Sequence, residues 1–417
     1  MARRPLLRGR AADEAREALR QISRALIALP PRRVRGPSLS DGDAGLAIAH
    51  AALDPIFPRS GHRVRVDRVL DRAIDGLART DMSPALFGGF TGVAWAVEHL
   101  RGNSGDDANE AIDDALLLYV DRTPWLDSYD LIRGLTGIGV YALERLPRAG
   151  GRRILELVVE RLAETARRRR PGLSWWSDPA WVPPQFRREP HLAWNLGVGH
   201  GVPAVIALLG GACRAGIAVR TARRLLDGAV RWLLAQELPG RVDAGFAYAV
   251  GPRLPREPAR SAWCYGDPGV AATLLVAACA MGERSWKDHA VRIGLRAALR
   301  PPDECRVVDA GLCHGAAGLG HLYHRMYLMT GEASFARAAR SWFVRALGFR
   351  QNRVGIAGFA SWEPDRRGRM GWHTDVGLLT GVAGVALALA SALSDEDPAW
   401  DRVLLLSVRS PPTHPAA

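Results

Sequence analysis

Two cysteines and one histidine are the residues of this sequence best suited to chemistry. Cys264 lies in the stretch SAWCYGDPGV, and Cys313 and His314 are adjacent in the stretch LCHGAAGLGH. Successive residues of a regular helix point about 100° apart, so Cys313 and His314 could bind one ion only from a loop. Two thiolates and one imidazole suit zinc, and three protein ligands leave the fourth tetrahedral position open. The sequence therefore predicts one zinc ion per chain, held by Cys264, Cys313 and His314.

The other three cysteines have a simpler interpretation. Cys213, Cys279 and Cys305 have no second ligand beside them, and free cysteine commonly behaves as a small buried hydrophobe. An odd total of five cysteines in a chain of 417 residues argues against a disulfide framework and for a reducing compartment. The stretch MARRPLLRGR lacks the apolar core of a signal peptide. We therefore expect a cytoplasmic protein.

The strong positive charge does not indicate a nucleic-acid partner. The formal charge of +13 comes almost entirely from arginine, since Lys287 is the only lysine, and this bias is typical of a codon habit. Such a surface would still attract an acidic peptide. The four arginines at 167–170 are interpreted as the solvated end of a helix. The uncharged run at 376–394 carries glycines of a repeated pattern, which predicts a buried helix and not a membrane span.

That pattern is a Gly-x-x-Gly step that opens an apolar run seven times along the chain, with alanine replacing the second glycine once. The steps are Gly42/Gly45, Gly89/Gly92, Gly134/Gly137, Gly201/Ala204, Gly266/Gly269, Gly315/Gly318 and Gly381/Gly384. Successive first residues of the step are 45 to 67 positions apart, which is enough for two helices and their loops. Each repeat is therefore predicted to be a helical hairpin.

The repeats predict a closed ring of two helical layers. Runs such as GVAWAVEHL and GVALALASAL are apolar nearly all round, as is typical of helices buried on every side. Segments such as 12–29 place leucine and isoleucine at helical spacing among charged residues, as expected for an outer layer. The fold is predicted to be all-α, an α/α toroid of seven inner and seven outer helices that spans 1–417 as a single domain. A Trp- and Pro-rich insert lies within it at about 171–193.

The sequence resembles the lanthionine synthetase C-like (LanC-like) family. The resemblance is carried by WCYG with CHG, by the sevenfold glycine step, and by SYDLIRGLTGIGVY and NLGVGHGVP. It extends from SLSDGDAGLAIA to GLLTGVAGVALAL, which is nearly the whole chain. The family implies an α/α toroid with one zinc ion and lanthionine synthetase activity in lanthipeptide antibiotic biosynthesis. In that reaction cysteine thiolates of a precursor peptide add to dehydroalanine or dehydrobutyrine and form thioether rings. The implied partners are the dehydrated precursor peptide, a dehydratase and a membrane exporter complex.

The resemblance also implies which residues act at the site. Zinc ligands are implied at Cys264, Cys313 and His314, and catalytic residues at Asp130, His200, Arg260 and Tyr265. His200 and Tyr265 are candidate acids for the enolate formed by thiolate addition, and Arg260 could hold an oxyanion or fix Asp130. The sequence departs from the family pattern at Ala204, where glycine is usual, and in GVGHG, where alanine often precedes the histidine.

Several alternatives stay open at this point. Asp130 and Arg260 could form a structural ion pair, and Tyr265 could serve only for packing. The thiol substrate could be glutathione, or the chain could be a non-catalytic peptide-binding scaffold braced by zinc. A glycosidase or terpenoid cyclase is disfavoured, because no paired-carboxylate or Asp-rich motif lies at the loop ends.

Some residues receive purely structural predictions. Asp267 is predicted to cap the helix that follows it, with Pro268 at the first helical position. Four histidines within helical runs are predicted to be packed or surface residues, namely His50, His99, His321 and His324.

Overall fold

The structure is a computed structural model, and it describes residues 5–102, 107–178, 181, 194–240, 244–252, 254, 256–365 and 367–408. Most of the predicted insert, at 179–180 and 182–193, lies outside the described residues. Within the described ranges, fourteen α-helices alternate between two layers, as the sequence predicts. They are numbered α1 to α14 in chain order.

Seven helices form the inner layer and are almost entirely buried. These are α2 (Asp43–Leu53), α4 (Phe90–Arg101), α6 (Leu135–Glu144), α8 (Val202–Arg214), α10 (Asp267–Met281), α12 (Ala316–Thr330) and α14 (Val382–Leu393). Each inner helix contacts the next one along the chain, and α14 contacts α2. The inner layer is therefore a closed ring, and the predicted α/α toroid is confirmed.

The outer layer surrounds this ring. It consists of α1 (Gly9–Ile27), α3 (His62–Leu77), α5 (Glu110–Val120), α7 (Ala149–Thr165), α9 (Val219–Leu234), α11 (Arg284–Leu299) and α13 (Ala333–Gly348). Six of these helices pack on the inner helix that precedes them, whereas α1 packs on α14. Backbone N–H groups of Leu6 and Leu7 both donate to the Ala392 carbonyl at 3.0 Å. The seventh hairpin is thus assembled from segments far apart in the chain.

Close backbone packing explains why the inner helices begin with the glycine step. A Cβ on Gly89 would lie 2.0 Å from the carbonyl oxygen of Ser83, six residues earlier. A Cβ on Gly92 would lie 1.8 Å from the carbonyl oxygen of Leu86. Real Cβ atoms do not approach backbone this closely, so any side chain at either position would push the preceding loop away from its helix. The step therefore holds each loop folded back over the helix start.

The loops before the inner helices are joined to one another by backbone hydrogen bonds. The joining residue always lies two positions before the first residue of the step. In ring order these residues are Ile132, Phe87, Ser40, Leu379, Cys313, Cys264 and Gly199. In this series, the backbone N–H of every residue after Ile132 donates to the carbonyl of the preceding residue of the series, at N···O distances of 2.7 to 3.5 Å. We call this series the loop belt. It places equivalent positions of neighbouring repeats side by side at one end of the toroid.

Short strands occur between the helices, which the prediction of an all-α fold did not include. In the described part of the chain, three two-stranded antiparallel sheets pair β1 (Arg167–Arg169) with β2 (Gly172–Ser174), β3 (Trp194–Asn195) with β4 (Ala249–Val250), and β5 (Ser361–Pro364) with β6 (Met370–His373). The arginine run at 167–170 therefore begins as an exposed strand and not as the predicted helix end. No helix in the described part of the chain is long and apolar enough to cross a membrane.

The predicted role of Asp267 is wrong. Asp267 does not cap α10: Gly266 occupies that position, and the Asp267 carboxylate accepts hydrogen bonds from the backbone N–H of Gly245 and Phe246. It also forms an ion pair with Arg296 of α11 at 2.8 Å, so its role is to join distant segments.

The prediction that Cys279 is buried is also wrong, because Cys279 lies in the last turn of α10 and is exposed. Of the other two cysteines outside the candidate metal site, Cys305 is buried and Cys213 is half-buried.

Candidate metal centre and catalytic residues

Cys264, Cys313 and His314 converge at one point of the loop belt. The two cysteines occupy equivalent positions in adjacent loops, and the Cys264 N–H donates to the Cys313 carbonyl at 3.4 Å. The two sulfurs and one ring nitrogen of His314 all lie within 4.8 Å of one another. All three residues are half-buried, so the cluster retains some contact with solvent. The cluster has the residue types and spacing of a three-ligand zinc site.

The Cys264 and Cys313 thiols interact strongly with each other. A hydrogen bond from Cys313 lowers the pKa of the Cys264 thiol well below its usual value, and the neighbouring His314 and Arg260 add to this effect. The same hydrogen bond raises the pKa of Cys313 well above its usual value. The first proton of the pair is therefore lost easily and the second is retained, as expected when two acids interact strongly.

His314 carries the compensating positive charge. Burial by itself lowers the pKa of His314, but contacts with the Cys264 sulfur and the Glu363 carboxylate raise it to about 10. The cluster thus gathers a thiolate and a carboxylate around a protonated imidazole. A divalent cation would replace one ring proton of His314 and the thiol proton of Cys313, and it would be attracted by the same negative groups. The donor set therefore fits zinc.

A second pair of predicted residues, His200 and Asp130, lies beside this cluster in the ring. His200 Nδ1 is 2.6 Å from Asp130 Oδ2, and the other carboxylate oxygen accepts the backbone N–H of Arg133 at 2.7 Å. The His200 side chain is 39% exposed, against 11% for Asp130. The carboxylate thus fixes one ring nitrogen and leaves Nε2 free to face a substrate.

Tyr265 is held between aromatic and amide groups. Its hydroxyl accepts a hydrogen bond from Asn195 Nδ2 at 3.0 Å, and its ring lies 5.1 Å from that of Tyr248. A Cβ on Gly197 would lie 2.5 Å from the Tyr265 ring, so this glycine makes room for the phenol. Burial raises the pKa of Tyr265, which keeps the hydroxyl protonated. Tyr265 can donate a hydrogen bond but does not supply a phenolate base.

Arg260 acts on the cluster through its charge. It helps to lower the pKa of Cys264, and its backbone N–H donates to the Tyr248 hydroxyl at 3.1 Å. Among the described residues it forms no ion pair with Asp130, which pairs with His200 instead. The structure therefore does not contain the Asp130–Arg260 ion pair that the sequence left open.

Comparisons with known proteins bear on the family. The sequence model of the lanthionine synthetase C-like proteins matches residues 33–405, which is most of the chain. The chain belongs to the lanthionine synthetase C-like family. Its fold is similar to that of nisin cyclase, with a TM-score of 0.73 and 21% identity over 92% of this chain and 96% of that chain. A sugar epimerase from a ruminal bacterium gives a TM-score of 0.46 at 10% identity over 92% of this chain and 98% of that one. A comparison with curated protein sequences gives no significant match.

The site of this LanC-like chain contains residues that the sequence did not single out. Asn195 lies inside the stretch NLGVGHGVP, but nothing in that stretch indicates that it contacts Tyr265. Tyr248 lies outside every motif. Glu363, on the β5–β6 hairpin, has its Oε1 3.0 Å from His314 Nε2. The only signal for this hairpin is the stretch SWEPDRRGRMGWH, whose aromatic residues flank a polar turn.

Proposed function

We propose that this LanC-like protein is a zinc-dependent lanthipeptide cyclase. The observation that carries the proposal is the convergence of Cys264, Cys313 and His314 within 4.8 Å in the loop belt. The His200–Asp130 pair in the adjoining loops supports it, because the reaction needs a proton donor beside the nucleophile. The substrate is a precursor peptide that already contains dehydroalanine or dehydrobutyrine.

Cys264, Cys313 and His314 would hold one zinc ion, and three protein ligands would leave room for a substrate sulfur. A zinc ion bound there would supply the positive charge that keeps a peptide thiol ionised at neutral pH, with the thiol proton released to solvent. The substrate sulfur then forms a bond to the β-carbon of the dehydroamino acid. The electron pair of the carbon–carbon double bond moves into the adjacent carbonyl and gives an enolate.

His200 is proposed to deliver the proton that completes the reaction. Asp130 holds Nδ1 and stabilises the charged ring, so the proton leaves from Nε2 and reaches the α-carbon of the enolate. Arg260 is proposed to lower the energy of the developing oxyanion through its charge. Tyr265 is proposed to position the peptide carbonyl by donating its hydroxyl proton in a hydrogen bond.

The proposal can be tested by counting thiols. A dehydrated peptide with one cysteine and one dehydroalanine would be incubated with zinc-loaded protein, treated with an alkylating reagent and examined by mass spectrometry. Cyclisation leaves the peptide mass unchanged but consumes the thiol, so the product should not be alkylated. The peptide should be the precursor encoded beside a dehydratase gene. Thiol loss no faster than in the enzyme-free control would count against a cyclase.

The same assay separates the alternatives. If glutathione is the thiol substrate, a peptide that lacks cysteine should gain the mass of one glutathione. If the toroid is only a scaffold, the peptide should bind without any loss of thiol. We further propose that the protein works in the cytoplasm with a dehydratase and an exporter complex, and co-purification from the native cell would test this.

A further inference from the structure

His314 lies between two groups of possible ligands. One group consists of Cys264 and Cys313, and the other consists of Asp309 and Glu363. In each group the ligand atoms, including one from His314, lie within 4.8 Å of one another. Glu363 groups with Asp309 and not with the two sulfurs. Glu363 is therefore placed to contact His314, and not to act as a fourth ligand to an ion held by the two cysteines.

The two carboxylates of the second group differ in what they can still bind. Both carboxylate oxygens of Asp309 already accept backbone hydrogen bonds. Oδ1 accepts the N–H of Gly311 and Oδ2 accepts the N–H of Trp362, both at 2.9 Å. The Oε1 of Glu363 is buried and accepts no aligned hydrogen bond from the described residues. It lies 3.0 Å from His314 Nε2, which is the donor that could satisfy it.

The hairpin that carries Glu363 is anchored on both sides of the metal cluster. Asp309, which precedes α12, holds the backbone of Trp362, and the Ser361 hydroxyl donates to the Thr380 carbonyl before α14 at 2.7 Å. The cross-strand partner of Glu363 is Gly371, which has no side chain to compete for the space. The carboxylate is therefore placed against His314 by the fold itself.

We propose that Glu363 is a positioning residue of the metal centre, resting on the zinc site of the proposed function. Its carboxylate accepts a hydrogen bond from His314 Nε2–H, which leaves Nδ1 as the nitrogen that binds the metal. A metal-binding histidine usually donates its other ring N–H to an outer carboxylate or carbonyl, which fixes the tautomer and the ring orientation. The β5–β6 hairpin thereby becomes part of the metal site although it supplies no ligand.

The test measures metal affinity and not only activity. Zinc dissociation constants would be determined by competition with a chelator for the wild type, Glu363→Gln and Glu363→Ala. We expect the alanine variant to bind zinc roughly 10- to 100-fold more weakly, the usual effect of removing such a partner. In zinc-loaded protein with ¹⁵N-labelled histidine, NMR should show His314 with a metal-bound Nδ1 and a protonated Nε2.

Asp365→Asn is the matched control. It removes a carboxylate from the turn of the same hairpin, where Asp365 accepts the backbone N–H of Arg367 and Arg369, without touching His314. This variant should bind zinc like the wild type. An equal loss of affinity in the control would overturn the proposal, because it would show that only the stability of the hairpin matters.

Three other results would also overturn it. These are an unchanged affinity in Glu363→Ala, a metal bound through His314 Nε2, and a cobalt-substituted spectrum that shows one ligand fewer in Glu363→Ala. The last would make Glu363 a direct ligand. A wild-type protein that bound no zinc would instead refute the metal centre of the proposed function, which separates the two failures.

Discussion

The contact between His200 and Asp130 gives the sharpest prediction about catalysis. Asp130→Asn keeps the shape of the side chain and an oxygen that can accept from His200 Nδ1, but it removes the negative charge 2.6 Å away. A hydrogen bond to a charged group contributes about 1.5–3 kcal/mol, and a neutral one about 0.5–1.5 kcal/mol. The variant should therefore lose about 1–2 kcal/mol of the interaction that holds the His200 ring in place for proton transfer, which corresponds to a 5- to 30-fold slower cyclisation.

The comparison with His200→Asn shows whether the two residues act as a unit. Removing the proton donor should slow cyclisation by roughly 10²- to 10⁴-fold. Because Asp130 acts through His200, the double variant should be no slower than His200→Asn alone. The rate would be measured as thiol loss in single turnovers, with the zinc content of each variant determined in parallel.

Two outcomes would refute this reasoning. If Asp130→Asn cyclised at the wild-type rate, the carboxylate would not stabilise the acid. If the effects of the two substitutions multiplied in the double variant, Asp130 would act on the substrate independently. Loss of zinc from His200→Asn would show that His200 supports the metal and is not the acid. A wild-type rate in that variant would show that Tyr265 or water donates the proton.

Three further predictions concern the metal, the core and the glycine step. Cys264→Ala should abolish zinc retention in elemental analysis, whereas Cys213→Ala should keep a full equivalent; equal zinc in both would contradict the ligand assignment. Burial lowers the pKa of His50 to about 3, so its share of the unfolding free energy is complete above pH 6.5 and is lost as the pH falls toward 3. The free energy of unfolding, measured in urea, should therefore fall by about 3 kcal/mol more in the wild type than in His50→Gln between pH 7 and pH 4.5. Equal decreases in the two proteins would be evidence against a lowered pKa of His50. Gly92→Ala should destabilise the protein by about 1–3 kcal/mol because its Cβ meets backbone, whereas Gly88→Ala, whose Cβ meets nothing within 4 Å, should be neutral; a neutral Gly92→Ala would contradict the packing argument.

The sequence predicts the parts of the structure that recur in every repeat. A glycine step that recurs before seven apolar runs has a local physical cause, the approach of the loop to its own helix at Gly89 and Gly92, so it can be recognised without coordinates. The convergence of Cys264 and Cys313 follows from the same regularity, since both lie two residues before the step in consecutive repeats.

The parts that occur once could not be predicted in this way. Glu363 on the β5–β6 hairpin reaches His314 because Asp309 and Thr380 anchor that hairpin from two different loops. Asp267 has the local pattern of a helix cap, but Arg296 and the backbone at Gly245 bind its carboxylate from distant positions. Such pairings depend on long-range contacts that local spacing does not encode.

The pairing of α1 with α14 affects the order in which the protein can fold during synthesis. The buried face of α1, which includes Leu19, Ile22 and Leu26, packs on a helix that leaves the ribosome more than 350 residues later. Every other outer helix meets its inner partner within the same hairpin. The α1 segment must therefore wait with an uncovered apolar stripe until the last inner helix is made, and we expect it to be a target of chaperones during translation.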